Sequence, residues 1–434
     1  MARALTLLFL AVGLAGCVGA GGSGGEVRFL VFGDPEEIQA YRDLIAAFER
    51  EEPDLEVELV EASDRTDLIA RLSTSFAGGS PPDVFLLNYR YYGQFASRGV
   101  LEPVEARVEA SDAFEQEDFY DVALDAFRWE GVLTCLPQNV SSLVVYYNVD
   151  LFERHGVERP EPGWTWNDML ATASALTLDE QGNSLRAGDP DTGGVTAAIY
   201  GLGVEPSVIR IAPFAWSNGG EVVDDPERPT RFTLDSPESF AALREFFALR
   251  VAYGVVPSDL EVEAEDDESR FANGRLAMLL SSRRSTTAFR TIEDFEWDVA
   301  PLPIHREPAG ILHSDAYCMT RSSDKKDETW RFVEFANSAE GQRIIARTGR
   351  TVPSLIEVSR SRDFLDSELP PRSSHVFLDG IEHIRRVPSI STWPEIEDAA
   401  AGILENGMYL GQSPEEVARE VDRVTRPLFA RAED

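Results

Sequence analysis

Residue types capable of catalysis are abundant in the sequence but do not form a recognisable catalytic motif. The phosphate-binding P-loop, the HExxH zinc motif and the CxxC pair are all absent. The 76 Asp and Glu residues leave a glycosidase with two catalytic carboxylates open as the enzymatic alternative. The five histidines are scattered without metal-ligand spacing: His155, His305, His313, His375 and His383. The sequence therefore gives only a weak indication of catalysis.

Two polar segments interrupt apolar strands and are candidates for a binding site. Gln138–Ser142 lies between a short strand that contains Cys135 and the buried strand Leu143–Tyr147. His313–Asp315 separates a second pair of apolar runs. Strands joined end to end by polar residues suggest a chain that leaves one globular body and enters another. We therefore interpret both segments as hinge crossings, and Gln138–Ser142 also as a wall of a ligand site.

The first ninety residues predict the sheet that would position such a site. Strand and helix patterns alternate in the order strand Glu26–Phe32, helix Glu37–Glu51, strand Leu55–Val60, helix Thr66–Ala77 and strand Asp83–Leu87. This βαβαβ order favours a parallel sheet with helices on both faces. Since ligands bind at the carboxyl ends of strands in such sheets, the loops Gly33–Glu36 and Asn88–Tyr92 are candidate contacts.

The length and charge of the chain restrict its class. With 434 residues the chain is too long for one ordinary core and favours two domains. A net charge of −36 without a basic run argues against a nucleic-acid partner. The acidic run Glu261–Glu268 is expected to be a solvated face, because it lacks the alternating ligands and glycine turn of a calcium site.

The amino-terminal residues predict export and membrane attachment. The apolar run Leu5–Leu14 is too short to span a membrane as a mature helix and fits a signal peptide over residues 1–16. The residues LAGC that end at Cys17 match the bacterial lipoprotein pattern, in which the cysteine is acylated. An ordinary signal peptide with an incidental cysteine is the alternative. Residues 17–25 are expected to be a flexible tether, with the protein lipid-anchored outside the cytoplasm.

The two remaining cysteines have two possible states. An exported compartment permits a disulfide between Cys135 and Cys318. Both cysteines lie in apolar, strand-like surroundings, for which buried free thiols are the simpler interpretation. The sequence leaves the pairing open.

Several segments together resemble one known family. These segments are LAGC, FEREEPDLEVELV, GGSPPDVFLLN, SRGVLEPV, GVLTCLPQNVSSLVVYYNVDLFERHG, WTWNDML, SNGGEVV, FANGRLAM, DVAPLP, EFANSAEGQRI and GRTVPS. In their order and spacing they resemble the extracellular solute-binding proteins of bacterial ABC importers, specifically the sugar-binding family that includes maltose-binding protein. The resemblance implies an α/β fold of two lobes, each a mainly parallel sheet flanked by helices, joined by hinge crossings.

The resemblance also implies an organisation and a set of partners. Lobe 1 would comprise residues 26–137 and 314–350, and lobe 2 residues 138–313 and 351–434. A small-molecule ligand, with a sugar favoured, would bind between them. The expected partners are permease subunits in the membrane with a cytoplasmic ATPase. We expect a monomer without a cofactor, a metal or catalytic residues.

Ligand contacts are implied position by position. The implied contacts are Asp34, Asn88 and Tyr89 in lobe 1, Gln138, Asn139 and Ser141 at the first crossing, Trp216, Asn218, Arg283 and Arg284 in lobe 2, His313 and Asp315 at the second crossing, and Trp393. Tyr89, Trp216 and Trp393 would stack on a sugar ring. An arginine in the cleft would instead favour a glycerophosphate-like or acidic sugar, because guanidinium binds such groups bidentately. A sensory binding protein without a permease is a further alternative.

Overall fold

The computed structural model describes residues 26–185 and 197–432. The expected signal peptide, Cys17 and the tether lie outside the described residues. The strands are β1 (Val27–Phe32), β2 (Val57–Ala62), β3 (Val84–Asn88), β4 (Arg128–Trp129), β5 (Val132–Leu133), β6 (Cys135–Pro137), β7 (Leu143–Asn148), β8 (Tyr200–Gly203), β9 (Leu276–Ser282), β10 (Trp297–Ala300), β11 (Gly310–Ile311), β12 (Asp315–Met319) and β13 (Ile384–Arg385).

Helices connect most of these strands. They are α1 (Pro35–Glu51), α2 (Arg65–Ala77), α3 (Tyr89–Ala96), α4 (Glu105–Glu109), α5 (Asp121–Asp125), α6 (Val149–His155), α7 (Trp166–Ala175), α8 (Val208–Ser217), α9 (Pro237–Val251), α10 (Asp259–Ala264), α11 (Asp267–Ala272), α12 (Thr286–Phe289), α13 (Lys326–Asn337), α14 (Ala339–Ala346), α15 (Ile356–Ser359), α16 (His375–Asp379), α17 (Trp393–Tyr409) and α18 (Pro414–Arg431). No helix of the described chain is both long and apolar enough to cross a membrane.

The first lobe is built on a five-stranded sheet with the order β2-β1-β3-β12-β6. Strand β1 pairs in parallel with β2 and β3, whereas β12 runs antiparallel to β3 and β6. The predicted βαβαβ unit is thereby confirmed. The central strands β3 and β12 are almost continuously buried because helices cover the sheet, whereas the edge strand β2 has exposed glutamates. On α1, Tyr41, Leu44 and Phe48 are fully buried at helical spacing.

The second lobe is built on a four-stranded sheet with the order β10-β7-β9-β8. Strand β8 is parallel to β9, and the other pairs are antiparallel. Its core contains a cluster of aromatic rings from Tyr146, Phe271, Phe289 and Trp297. Helices α17 and α18 pack against each other and against α9.

Three neighbouring segments, which we call the connecting segments, pair side by side between the two lobes. Residues 138–142 follow β6 and lead into β7, and residues 312–314 lead from β11 into β12. These two are paired, since the Ser141 and His313 amides each donate to the other's carbonyl, at 2.9 and 2.8 Å. Residues 351–354 pair with the opposite side of the first segment, where the Val140 amide donates to the Val352 carbonyl at 2.9 Å. The first segment is therefore the middle of three.

A disulfide joins Cys135 on β6 to Cys318 on β12. The two residues are direct partners in the antiparallel register, with Cα atoms 4.4 Å apart. The simpler interpretation of buried free thiols is therefore wrong. The register brings together two cysteines that are 183 residues apart in the sequence.

Candidate ligand-binding site

A small cavity lies where the three connecting segments meet the ends of β1, β3 and β9. Its volume is about 70 Å³. Both lobes contribute to its lining, which consists of Phe32, Glu37, Arg65, Leu86, Asn88, Asn139, Ser141, Ser282, Arg283, Arg284, His313, Asp315, Arg350, Thr351 and Val352. We call it the cleft cavity.

A second cavity of about 300 Å³ shares Arg284 with the first. It lies at the carboxyl ends of the parallel strands β8 and β9, the position at which α/β sheets bind ligands. Its lining is rich in carboxylates and includes Glu205, Asp266, Asp267 and Glu268. We call it the acidic cavity. Another pocket of about 200 Å³, between Leu143 and Phe377, is lined mainly by apolar residues of the second lobe.

Amide and carboxylate groups of the hinge are held in fixed orientations. The Asn88 amide donates to the Asp315 carboxylate at 3.1 Å. The Asp315 backbone N–H in turn donates to Oδ1 of Asn139 at 3.1 Å. The Ser314 hydroxyl donates to the Asn139 carbonyl at 2.6 Å. Planar groups from both sides of the connecting segments are thus positioned before a ligand arrives.

An ion-pair cluster forms one wall of the cleft cavity. Arg350 Nε lies 2.7 Å from the Glu37 carboxylate, and the guanidinium also pairs with Asp34. Burial raises the pKa of Glu37 from 4.5 to about 7, although Arg350 acts in the opposite direction. The Tyr41 hydroxyl donates to the other Glu37 oxygen at 3.2 Å.

Two arginines of this cavity are held against aromatic rings. Arg65 lies 5.3 Å from the centre of the Phe32 ring. Arg283 is only 1% exposed, lies between Phe364 and Phe377 at 4.8 and 4.9 Å, and donates to the Gly349 carbonyl at 2.6 Å. Burial lowers the pKa of Arg283 to about 9, so that it remains charged at neutral pH.

His313 contributes a neutral ring to the cavity wall. Burial, together with the positive charges of Arg210, Arg90 and Arg65, holds the pKa of His313 well below its usual range. Among the described residues, no group of three His, Cys, Asp or Glu side chains is arranged to hold a metal ion.

The structure brings seven of the expected contact residues to the cleft cavity. They are Asn88, Asn139, Ser141, Arg283, Arg284, His313 and Asp315. Asp34 lies at the edge through its ion pair with Arg350. Gln138 is buried behind the cavity, where its amide donates to the Tyr317 hydroxyl at 2.7 Å.

Four expected contacts lie elsewhere, including all three expected stacking rings. Trp393 is fully buried and packs against Phe232 and Phe429, and Trp216 on α8 is 2% exposed beneath the Arg385 guanidinium. The Tyr89 side chain is fully buried, and the Asn218 amide donates to the Glu238 carbonyl at 2.8 Å. None of the four lines either cavity. Helix packing turns the three aromatic side chains into the protein interior.

Sequence reasoning missed charged residues that line the two cavities. Arg65 follows the end of β2, where Asp64 caps α2 by accepting from the Asp67 amide. The rule that selected the loops after β1 and β3 applies equally to this loop and would have found Arg65. In the acidic run, Asp267 and Glu268 line the acidic cavity, so the expected fully solvated face is wrong for them. Burial raises the pKa of Asp267 to about 7.

Comparison with known proteins identifies the family. A family model described as bacterial extracellular solute-binding protein matches residues 43–370, which is more than half of the 434 residues. The chain belongs to this family. The family resemblance and the two-lobe α/β fold expected from the sequence are confirmed. The expectation of a mainly parallel sheet in each lobe is wrong, because half or more of the strand pairs in each sheet are antiparallel. This solute-binding protein therefore acts outside the cytoplasm.

Individual relatives of this solute-binding protein cover nearly its whole length. An ABC substrate-binding protein from Listeria monocytogenes, solved in complex with cycloalternan, has a TM-score of 0.81 at 26% identity, over 93% of this chain and 98% of that one. A maltotriose-binding protein from Pyrococcus abyssi is 22% identical over 86% of this chain and 76% of its own length. A binding protein from Brucella abortus is 22% identical over 94% of this chain and 93% of its own. These relatives are binding proteins rather than enzymes.

Proposed function

We propose that this solute-binding protein captures a carbohydrate between its lobes and delivers it to an ABC importer. The observation that carries the proposal is the lining of the cleft cavity. Asn88, Asn139, Ser141 and Asp315 present amide, hydroxyl and carboxylate groups beside the connecting segments. Such polar groups fix the orientation of a ligand in a site. The cycloalternan and maltotriose bound by the Listeria and Pyrococcus proteins support a carbohydrate.

The remaining parts of the proposal concern delivery. The lobes close over the ligand by bending at the connecting segments, and the closed form is presented to permease subunits in the membrane. A cytoplasmic ATPase drives uptake. A lipid anchor on Cys17 keeps the receptor at the membrane surface. The receptor works as a monomer without a cofactor and releases its ligand unchanged.

Thermal unfolding in the presence of a carbohydrate panel tests the proposal. A ligand that binds only the folded state stabilises it by about 2.7 kcal/mol at a concentration one hundred times its Kd. We expect at least one mono-, oligo- or phosphosugar to raise Tm and to be recovered chemically unchanged. A panel without any stabilising member, or recovery of a cleaved sugar, contradicts the proposal.

A substitution of Asn139, in the middle connecting segment, tests whether the ligand binds in the cleft cavity. Asn139→Ala is expected to weaken binding of the stabilising sugar by about tenfold or more, since one hydrogen bond contributes roughly 1–2 kcal/mol. Asn183→Ala changes an exposed asparagine outside both cavities and serves as the matched control. Isothermal titration calorimetry measures both affinities. Equal affinities for the two variants would place the ligand elsewhere.

A further inference from the structure

The lining of the cleft cavity contains more positively than negatively charged side chains. Its lining includes Arg65, Arg283, Arg284 and Arg350 but only two carboxylates, Glu37 and Asp315. Arg350 is neutralised by its ion pairs with Glu37 and Asp34.

The other three arginines of this cavity have no such partner. Within residues 26–185 and 197–432, no carboxylate oxygen lies within 4.0 Å of the guanidinium groups of Arg65, Arg283 or Arg284. The sequence contains 76 acidic but only 40 Lys and Arg residues, so carboxylates are in large excess. Three neighbouring arginines without one are therefore unexpected in this protein.

Arg65 is the clearest example of an arginine in this cavity without a carboxylate partner. Its Nε is inaccessible to solvent and makes no hydrogen bond among the described residues. Its guanidinium instead lies over the rings of Phe32 and Tyr91, at 5.3 and 5.9 Å. Burial lowers the pKa of Arg65, although the nearby Asp315 acts in the opposite direction. A buried donor without an acceptor is costly to the folded state, and a bound ligand is one common reason for it.

Arg283 is oriented in advance on the opposite lobe. Its Nε donates to the Gly349 carbonyl at 2.6 Å and its Nη1 to the Ser374 hydroxyl at 3.1 Å. The two flanking aromatic rings prevent the guanidinium plane from rotating. Exposed Arg284 follows directly and lines both cavities. Planar guanidinium groups fixed in this way suit the paired oxygens of a carboxylate or phosphate.

We propose that the ligand carries one anionic group, a carboxylate or a phosphate, which binds between Arg65 of the first lobe and Arg283 and Arg284 of the second. This inference rests on the proposed function, because it names the ligand class of the same site. An anion held from both lobes favours their closed arrangement, since it loses the arginine or arginines of one lobe when the lobes separate.

The acidic cavity indicates the nature of the rest of the ligand. The Oδ1 atom of Asp267 is buried there without a hydrogen-bond donor among the described residues. Glu205 Oε1 lies 3.5 Å from Arg210 and accepts from the Ser207 hydroxyl at 3.1 Å. Carboxylates accept hydrogen bonds from hydroxyl groups and repel a second anion. The ligand is therefore an acidic sugar or polyol phosphate whose hydroxyl-bearing part extends past Arg284.

Calorimetric titration of the full chain with matched neutral and acidic compounds tests this inference. The pairs are glucose with glucuronate, maltose with maltobionate, glucose with glucose 6-phosphate, and glycerol with glycerol 3-phosphate. We expect at least one acidic member to bind about tenfold or more tightly than its neutral partner, and the difference to shrink as salt is added. Comparison of the carboxylate pairs with the phosphate pairs shows which of the two anionic groups the site prefers.

Substitution of one arginine on each lobe provides a second test of the inference. Arg65→Gln and Arg284→Gln should each weaken the acidic member by about tenfold and weaken its neutral partner less. Arg98→Gln removes the same charge from an exposed position outside both cavities and should change nothing. Neutral sugars that bind as tightly as the acidic ones would overturn the inference while leaving the proposed function intact. A failure of every compound to bind would count against both.

Discussion

At the scale of single residues, burial shifts the pKa values of charged groups in the cleft away from their ordinary values. Glu37 is 8% exposed and sits between Arg350 and the Tyr41 hydroxyl. The cost of burying its charge exceeds the attraction of Arg350, so burial raises its pKa to about 7. Glu37 is therefore a proton-binding group at the site, at a pH where ordinary carboxylates are ionised.

The protonation of Glu37 makes the stability of the protein depend on pH. Between pH 4.5 and about 7 the folded state holds a proton that the unfolded state has lost. The contribution of Glu37 to the free energy of unfolding is thus complete below pH 4.5 and is lost as the pH rises to about 7. At about 1.4 kcal/mol per pKa unit, the total change is roughly 3 kcal/mol. We expect Glu37→Gln to remove this pH dependence.

Urea unfolding of the wild-type protein and of Glu37→Gln at several pH values measures the effect. The stability of the wild-type protein relative to the variant should fall from pH 4.5 to 7, in the direction set by the raised pKa. Exposed Glu36→Gln, one residue away, provides the control and should follow the wild-type profile. A constant difference between wild type and Glu37→Gln over this range would show that the carboxyl is already ionised.

At the scale of elements, the disulfide fixes the two strands that bracket the hinge. Strand β6 precedes the first connecting segment and β12 follows the second, so the bond lies on the first-lobe side of both. The chain between the cysteines contains the entire second-lobe sheet, β7 to β10. Closing such a long loop restricts the unfolded chain strongly in the loop-entropy model.

Removal of this disulfide is expected to destabilise the first lobe by about 3–5 kcal/mol. Equilibrium urea unfolding with and without a thiol reductant measures the difference. The double variant C135A/C318A should unfold at the urea concentration of the reduced wild-type protein and should not respond to the reductant. Coincident wild-type curves in the presence and absence of the reductant would contradict a bonded pair.

The elements also show how much could be predicted from the sequence. The βαβαβ order and the position of Asn88 follow from hydrophobic periodicity and from the rule for parallel sheets, which are local properties of the sequence. Strand register depends on contacts between distant parts of the chain. The pairing of Cys135 with Cys318 could therefore not be predicted from the sequence. The orientation of a helix about its axis is also set by tertiary packing. For that reason Trp393 was misassigned to the cleft.

At the scale of the whole molecule, the relative position of the lobes controls access to the site. The cleft cavity of about 70 Å³ holds about two water molecules, whereas ligand pockets usually measure about 300–1,000 Å³. A sugar can therefore enter only when the lobes move apart. We interpret the structure as a closed arrangement, whose stability relative to an open one sets the apparent affinity.

Contacts between α3 of the first lobe and the region around α17 of the second hold this arrangement. Arg90 and Glu397 form an ion pair at 2.7 Å, with their side chains 16% and 14% exposed. The α3 backbone approaches closely, because a Cβ added at Gly93 would lie 2.4 Å from the Ser389 carbonyl oxygen. The ion pair therefore bridges the lobes at a tightly packed interface.

We expect Glu397→Gln to shift the ligand-free protein toward the open arrangement. The loss of a largely buried ion pair costs the closed state about 2 kcal/mol, which changes the equilibrium between the two arrangements by roughly thirtyfold. Double electron–electron resonance between one spin label on each lobe should show a longer mean distance in this variant. Glu357→Gln, which removes the partner of Arg343 at 2.9 Å between the neighbouring helices α14 and α15, is the control because it leaves the contact between α3 and α17 intact. Identical distance distributions for Glu397→Gln and the wild-type protein would mean that packing around Gly93, rather than the ion pair, determines closure.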